Sequence, residues 1–389
     1  MQPMEGMRET TVPLWTQRPP MVLDDLPGPV LRHSIGGYAP PHPETLREWD
    51  SLAARLRVLP YQQPGWTQAW WRAFGLGEPE LHTLRQDGQL TALLPMVRRN
   101  KILESPANYH TPAFSLLAED KRGAAALAQA LFKSEPTHLS ITSLDREHQT
   151  LDACLDAAEE AGYRVVVRPF LRSLYIDVDG DWQAYEADLG DNLVRNLRRA
   201  RRQLDREGRV SVDVVTGGEQ LDECLREAFL VENSSWKGAA GTSILSDPRT
   251  QRFYTAVGRW AAERGILRLS MLRVDRRPLA MCFALQEHGV CHLLKAGYDA
   301  AYGRYSPGSL LMQAMVQRCF EDRLSRIELN GDAEPYKQSW TKVAREYQRL
   351  EAFAPTVAGQ LAWASFTYSR PVTSRVRAGL GLSPRDHRQ

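Results

Sequence analysis

Between Leu267 and Lys295 the chain makes three short strands in direct succession, and this run constrains the fold more than any other feature. Leu267, Leu269 and Met271 alternate with polar residues, Leu279 to Leu285 is a nearly continuous apolar run, and Val290 to Lys295 follows. Alternation reads as a half-buried strand and a short apolar run as a buried one. The links Asp275 to Pro278 and His288-Gly289 are turns, too short for a crossover, so the strands form an antiparallel meander. A helix starting at Gly308 or Ser309 and ending near Asp322 comes next, then a strand at Ile327 to Leu329. The chain is therefore read as an α/β protein with mixed, mostly antiparallel sheets flanked by helices.

The first half repeats the order. Leu46, Trp49, Leu52, Ala53 and Leu56 recur at helical spacing, Pro60 stops that helix, and Gly65 to Phe74 makes a second one. Leu81 to Leu84, Asp87-Gly88 and Leu90 to Val97 read as a hairpin. Arg98 to Phe114 reads as a long loop. Helices at Gly123 to Phe132 and Gln149 to Ala161 enclose a strand at His138 to Ile141, and Arg164 to Val178 reads as two strands. Leu84-Arg85-Gln86-Asp87 and Leu272-Arg273-Val274-Asp275 each lead through a turn into a strand, a weak internal repeat. It predicts equivalent hairpins at Leu84 to Val97 and Leu272 to Leu285. The expected divisions are a proline-rich arm over 1–43, halves over 44–180 and 181–355, and a helix with a basic tail over 356–389.

Composition narrows the partners. Of 389 residues, 49 are Lys or Arg and 47 Asp or Glu, so the net charge of +2 provides no bulk field for nucleic acid or an anionic membrane. Any such contact needs a local patch. One candidate is a helix with Leu193, Leu197, Ala200 and Leu204 in one stripe and Arg195, Arg198, Arg199, Arg201, Arg202 and Arg206 opposite. The five cysteines form no C-x-x-C pair and read as buried free thiols. No His/Cys spacing suggests a metal, and the expectation is no metal. Met1 to Pro20 has no apolar leader-like core, and no run has the ~18 apolar residues of a membrane span. The expected location is cytoplasmic.

Two loops could carry chemistry. In KAGYDAAYGRYSPGSLL, Lys295 to Leu311, a strand exits through Tyr298, Asp299, Tyr302, Arg304 and Tyr305 into a helix opened by Ser306-Pro307-Gly308-Ser309. Backbone N–H groups at such a helix start can receive phosphate, with Arg304 adding charge. An ordinary N-capped turn is the alternative. In IELNGDAEPYKQSW, Ile327 to Trp340, a strand ends in Asn330-Gly331-Asp332 before Tyr336-Lys337 and Trp340. Strand-end loops of α/β folds often carry sites. Ser234-Ser235-Trp236-Lys237 satisfies S-x-x-K, but neither S-D-N nor K-T-G follows. There is no G-x-S-x-G, Walker A or complete G-x-G-x-x-G.

The meander, the tyrosine-rich loop, the Y-S-P-G-S-L-L helix, the strand and N-G-x-x-x-x-Y-K-x-x-W together resemble the GNAT-type acetyltransferase domain of the CelD/BcsL group, also called BioF2-like. That group is related to the Fem aminoacyltransferases. The likeness is strongest over Trp182 to Phe353, and the first half agrees through Trp49 with Leu52, Pro64 to Trp70 and Leu93-Leu94-Pro95. It implies tandem GNAT-like (acyl-CoA N-acyltransferase) halves, with the second holding the donor. Arg304, Ser306, Gly308 and Ser309 match the turn that receives the donor's phosphates. Tyr336-Lys337 matches the aromatic–lysine pair of the Fem relatives, so Lys337 is expected to stabilise developing negative charge. One departure is Pro307, which stands where the Q/R-x-x-G-x-G/A signature has its first glycine.

From position alone, Tyr298 or Tyr305 would protonate the leaving thiolate and Asp299 or Asp332 would orient or deprotonate the acceptor. Tyr336, Asp332 and Trp236 would contact the acceptor. The activity implied is transfer of an acyl group, acetyl foremost, from an acyl-CoA co-substrate to an amine or hydroxyl, in exopolysaccharide or cell-envelope biosynthesis. The alternatives are a Fem-like aminoacyl-tRNA-dependent transferase, in which RNA would be a partner, and a non-catalytic partner in an exopolysaccharide assembly complex. The tail, with Arg370, Arg375, Arg377, Arg385 and Arg388, allows peripheral contact with the inner membrane face.

Overall fold

The computed structural model of the protein describes residues 30–34 and 41–369. In chain order the strands are β1 (Val30–Ser34), β2 (Glu78–Gln86), β3 (Gln89–Arg99), β4 (Ile102–Glu104), β5 (Leu117–Ala118), β6 (His138–Asp145), β7 (Arg164–Asp177), β8 (Val210–Val215), β9 (Leu267–Val274), β10 (Arg277–Glu287), β11 (Val290–Tyr298), β12 (Arg326–Glu328) and β13 (Ala344–Phe353). The helices are α1 (Pro43–Leu56), α2 (Pro64–Phe74), α3 (Lys121–Lys133), α4 (Gln149–Glu160), α5 (Trp182–Asp188), α6 (Asp191–Leu204), α7 (Leu221–Asn233), α8 (Trp236–Ala239), α9 (Pro248–Glu263), α10 (Pro307–Glu321), α11 (Pro335–Gln338) and α12 (Val357–Ala364). Among the described residues no helix is long and apolar enough to cross a membrane.

The strands form one 13-stranded sheet in the order β1-β2-β3-β4-β6-β13-β7-β12-β11-β10-β9-β8, with β5 attached to β3. The halves repeat one plan. In the first, Gln86, Arg85 and Leu84 pair with Gln89, Leu90 and Ala92, which leaves Thr91 bulged out. In the second, Val274, Arg273 and Leu272 pair with Arg277, Pro278 and Ala280, which leaves Leu279 bulged out at the matching place. The repeated arginine has one job in both. Arg85 binds the Glu48 carboxylate of α1 and the Gly88 carbonyl, at 3.3 Å. Arg273 binds Glu227 of α7 and the Arg276 carbonyl, at 3.0 and 3.1 Å. The two hairpins are equivalent, as the repeat predicted. Each half also has one brief parallel pairing of three residues a strand, β4 with β6 and β11 with β12.

Several elements depart from the sequence reading. Arg164 to Val178 holds one strand rather than two. β7 pairs with β13 over Arg164 to Leu174 and with β12 over Tyr175 to Asp177, so a single strand carries the sheet from one half to the other. The loop expected at Arg98 to Phe114 contains β4, and the arm expected over 1–43 contributes β1, which pairs with β2. β13 belongs by sequence to the half 181–355, yet it lies between β6 and β7 of the first sheet. The rest of the arm and the basic tail from Arg370 lie outside the described residues.

The cores follow the same logic. One cluster serves both halves: Trp49, Trp66, Trp70 and Trp71 of α1 and α2 pack with Phe253, Tyr254 and Val257 of α9 and with Leu269 and Phe283. Trp66 meets Phe253 edge-on, with ring centroids 5.0 Å apart. The other face carries separate clusters, under α3 and α4 in the first half and under α5, α6 and α10 in the second. The two halves thus share a core cluster, the strand β7 and the exchanged strand β13.

Candidate active site

The site is built where β11 and β12 part. They pair only as far as His292 with Glu328, while β11 runs on to Tyr298. Beyond His292 one edge of β11 therefore lacks a neighbouring strand, and unpaired strand edges present N–H and C=O groups to a ligand. Between Ala284–Leu293 and Phe283–Lys295 the register slips by one residue, so β11 bulges at Leu294 on this stretch. Side chains take two of the carbonyls. Asn330 Nδ2 donates to Leu293 O at 3.0 Å and Lys237 Nζ donates to Ala296 O at 2.7 Å.

The root of the cleft is closed by a network that joins the halves. Asn330 Nδ2 also donates to the Tyr61 hydroxyl at 3.2 Å, and Tyr61 lies 2.6 Å from His292 Nδ1. With the Tyr61 proton given to Nδ1, the hydroxyl donates to His292 and accepts from Asn330, and His292 is neutral. Burial, aided by the charges of Arg345 and His288, pushes His292 down to about 3. Between pH 6.5 and 3 the unfolded chain thus binds a proton that the folded one does not, so His292 stabilises at neutral pH and that share is lost as pH falls below 6.5. At pH 5 the loss is about 2 kcal/mol. Urea unfolding at pH 8 and pH 5 should show a smaller drop for His292→Gln than for the wild type. Equal drops would dismiss this assignment.

The residues predicted from sequence fall into three groups. Lys337 on α11 is buried, and its ammonium meets Asn330 O at 2.5 Å, Asp332 O at 3.0 Å and Glu334 Oε2 at 3.2 Å. All three N–H groups are engaged in holding the strand-end turn, where Asn330 and Gly331 have φ of 45° and 65°. Burial lowers its pKa, against the pull of Glu334. Tyr336 and Asp332 beside it are exposed.

The second group is the loop before α10. Asp299 accepts from Ala301 N–H and pairs with Arg277, both at 3.0 Å, which occupies it structurally. Tyr305 is buried and donates its hydroxyl proton to Glu207. Tyr298 ends β11 and packs on the tip of α10, where a Cβ at Gly308 would stand 3.2 Å from its ring. At that tip Pro307 has no N–H, and Ser309 and Leu310 both donate to Ser306 O, at 3.0 and 3.1 Å. That leaves the Gly308 N–H, with Arg304 exposed nearby and stacked 4.7 Å over Tyr305. Ser306 itself is left-handed, with φ of 48°. Trp236 forms the third group, on α8, and is 55% exposed.

Four residues assigned no role in the site from sequence sit at the open edge. Glu232 of α7 is fully buried, accepts from Ile244 N–H at 2.8 Å through Oε2, and has no hydrogen-bond donor at Oε1 among the described residues. Lys237 Nζ stands 3.8 Å from that oxygen. Gly297 lets β11 approach α7 closely, since a Cβ there would lie 2.7 Å from Glu232 Cα. Lys295 lies over the rings of Tyr109 and Tyr254, at 5.5 and 5.6 Å, where the first half meets the second. The available signal for Glu232 was its place on the buried stripe of α7 with Leu225, Ala228 and Phe229.

Residues 191–338, the stretch holding β11, α10, β12 and α11, match the family model described as Acetyltransferase (GNAT) domain. The enzyme is an acyltransferase. Its fold is shared over both halves with solved structures of low identity. FemX aligns at a TM-score of 0.56 and 10% identity, over 79% of this chain and 95% of that one. The C-terminal domain of a putative lysylphosphatidylglycerol synthetase from Agrobacterium fabrum aligns at 0.52 and 12%, over 83% and 95%. L-PGS from Bacillus licheniformis aligns at 0.50 and 12%, over 81% and 92%. No curated protein matches the sequence. The tandem GNAT-like architecture expected from the sequence is thus the architecture of the enzyme.

Proposed function

We propose that the enzyme transfers an acyl group, acetyl in the simplest case, from an acyl-CoA thioester to an amine or hydroxyl acceptor. The observation that carries this reading is the open, bulged edge of β11 inside the stretch that matches the acetyltransferase domain. The arm of coenzyme A is an extended chain with two amides, and such a chain can pair with an unpaired strand edge as an added strand. Arg304, the Gly308 N–H, Ser306 and Ser309 would face the donor's phosphates. Tyr336, Asp332 and Trp236 would border the acceptor. The resemblance to the CelD/BcsL group supports an acceptor among exopolysaccharide or envelope precursors.

One observation favours an aminoacyl-tRNA donor instead. Arg198 and Arg201 pair with Glu186 and Asp205, at 3.4 and 2.9 Å, but Arg195, Arg199, Arg202 and Arg206 are exposed with no acidic partner among the described residues. At helical spacing these four form one stripe opposite the Leu193–Leu197–Ala200–Leu204 face. If they bind phosphates, RNA affinity should fall with salt at a log–log slope of about −3.

The test is purified protein with a panel of acyl-CoA thioesters, amine and sugar acceptors and a free-thiol assay, run beside RNA gel shifts at low and moderate salt. Acceptor-dependent thiol release supports the thioester reading. Its absence with every thioester, together with salt-sensitive RNA binding, would replace it by the aminoacyl-tRNA reading. No RNA binding at low salt removes that alternative.

A further inference from the structure

The lysine singled out by resemblance has no N–H to spare, while a second lysine at the same cleft has two. Lys237 reaches from α8 to the open edge of β11, and its single hydrogen bond among the described residues is the one to Ala296 O, at 2.7 Å. Behind it stands the Glu232 carboxyl group at 3.8 Å, buried, with an Oε1 that accepts no hydrogen bond among the described residues. A fully buried carboxylate with an unsatisfied oxygen is costly to keep, and such groups persist where they set a charge in place. The approach of α7 to β11 at Gly297 delivers both side chains to this edge.

We propose that Lys237, held by Glu232, is the cation that meets the reacting acyl carbonyl at the open edge of β11. The proposal rests on the acyl-transfer reading above and adds the residue that stabilises its charge. The acceptor nitrogen or oxygen attacks the carbonyl carbon, and the C=O π electrons move onto oxygen, to which the free N–H groups of Lys237 donate hydrogen bonds. The electron pair then returns to re-form C=O, the new C–N or C–O bond remains, and the C–S bond breaks with its pair on sulfur. The acceptor's proton ends on that sulfur, so a thiol leaves and Lys237 keeps its own protons. Glu232 does not touch the substrate. It is a positioning residue that fixes where the ammonium points.

Lys237→Met alone would leave Glu232 buried and unpaired, which can unfold a protein without any catalytic role. The decisive variant is therefore the double one, Lys237→Met with Glu232→Gln, which removes both charges and keeps the Ile244 contact. Thermal unfolding and steady-state transfer are measured for this pair, for Glu232→Gln, and for Lys342→Ala as the control for lost charge. Donors are acyl-CoA thioesters and, in parallel, aminoacyl-tRNA.

The double variant should keep a near wild-type unfolding midpoint, lose roughly a hundredfold or more in kcat, and hold KM within about threefold. Glu232→Gln, with its ammonium still present but less constrained, should lose about tenfold in kcat. A double variant that turns over like the wild type would overturn the proposal, and so would a Glu232→Gln loss as large as that of the double variant. Wild-type turnover on aminoacyl-tRNA alone would retire the thioester donor and leave the lysine comparison to be read on that donor.

Discussion

Gly297→Ala should destabilise the protein by about 3 kcal/mol and abolish transfer. Gly297 has no unusual backbone angle. Its requirement is distance, because a Cβ there would stand 2.7 Å from Glu232 Cα and 2.9 Å from its Cγ. The nearest atom is helix backbone, so the clash cannot be relieved by a rotamer change. It must push α7 off β11, and α7 carries Phe229 and Leu225 in the core shared by the halves. The same movement shifts Glu232 and with it Lys237. Gly303→Ala is the control, since its Cβ would meet only a Tyr298 ring atom at 3.6 Å, an ordinary contact. Denaturant unfolding of the two variants decides the point. Equal stability would mean that β11 and α7 are not in close contact at this position.

Lys337→Ala should lose both stability, by about 3 kcal/mol, and activity. The ammonium serves the carbonyls of Asn330 and Asp332, and removing it leaves acceptors around a buried site without a donor, at about 1–3 kcal/mol each. The turn it holds carries Asn330, whose amide caps Leu293 O and Tyr61 at the root of the cleft. Loss of activity would therefore come with a lower unfolding midpoint. A lysine whose only role is to meet an oxyanion predicts a collapse of kcat with the midpoint unchanged, and calorimetry separates the two. Lys342→Ala, at an exposed lysine bonded among the described residues only to Gln338 O, should stay within about 0.5 kcal/mol.

Much of the site was legible as position and little of it as role. Asn330-Gly331-Asp332, Lys337 and the Ser306 to Ser309 helix start were all visible as strand-end and helix-start chemistry; in the structure Asn330 bonds to Leu293 O of β11, Lys337 holds the Asn330 turn and Gly308 faces Tyr298 at the end of β11. What the spacing could not show is which hydrogen bonds are already taken. Asp299 is spent on Arg277 and Ala301, Tyr305 on Glu207, and Lys337 on its own turn, because each partner lies on a neighbouring element or a nearby turn. Lys237 was noticed only within an S-x-x-K pattern belonging to another chemistry. Its partners, Glu232 and Ala296 O, are five residues before it on α7 and far beyond it on β11, and only the packing of α7 on the sheet brings the three together.

The sequence by itself determined the local architecture. Alternation at Leu267 to Met271, the turns at Asp87-Gly88 and His288-Gly289, and the paired Leu-Arg-x-Asp hairpins dictated strands, turns and the doubling of the fold, since period and turn chemistry act over a few residues. Tertiary structure alone decided how the halves join. β7 crosses from one sheet to the other, and β13 returns from the end of the second half to lie between β6 and β7. Neither is written in a local pattern, because a strand's partner is chosen by long-range backbone pairing and by the apolar face it must cover. The cleft follows from that choice: β12 pairs with β11 for three residues and stays beside β7, so the rest of β11 is left open. The open edge exists because two strands part, and that parting is a property of the assembled sheet.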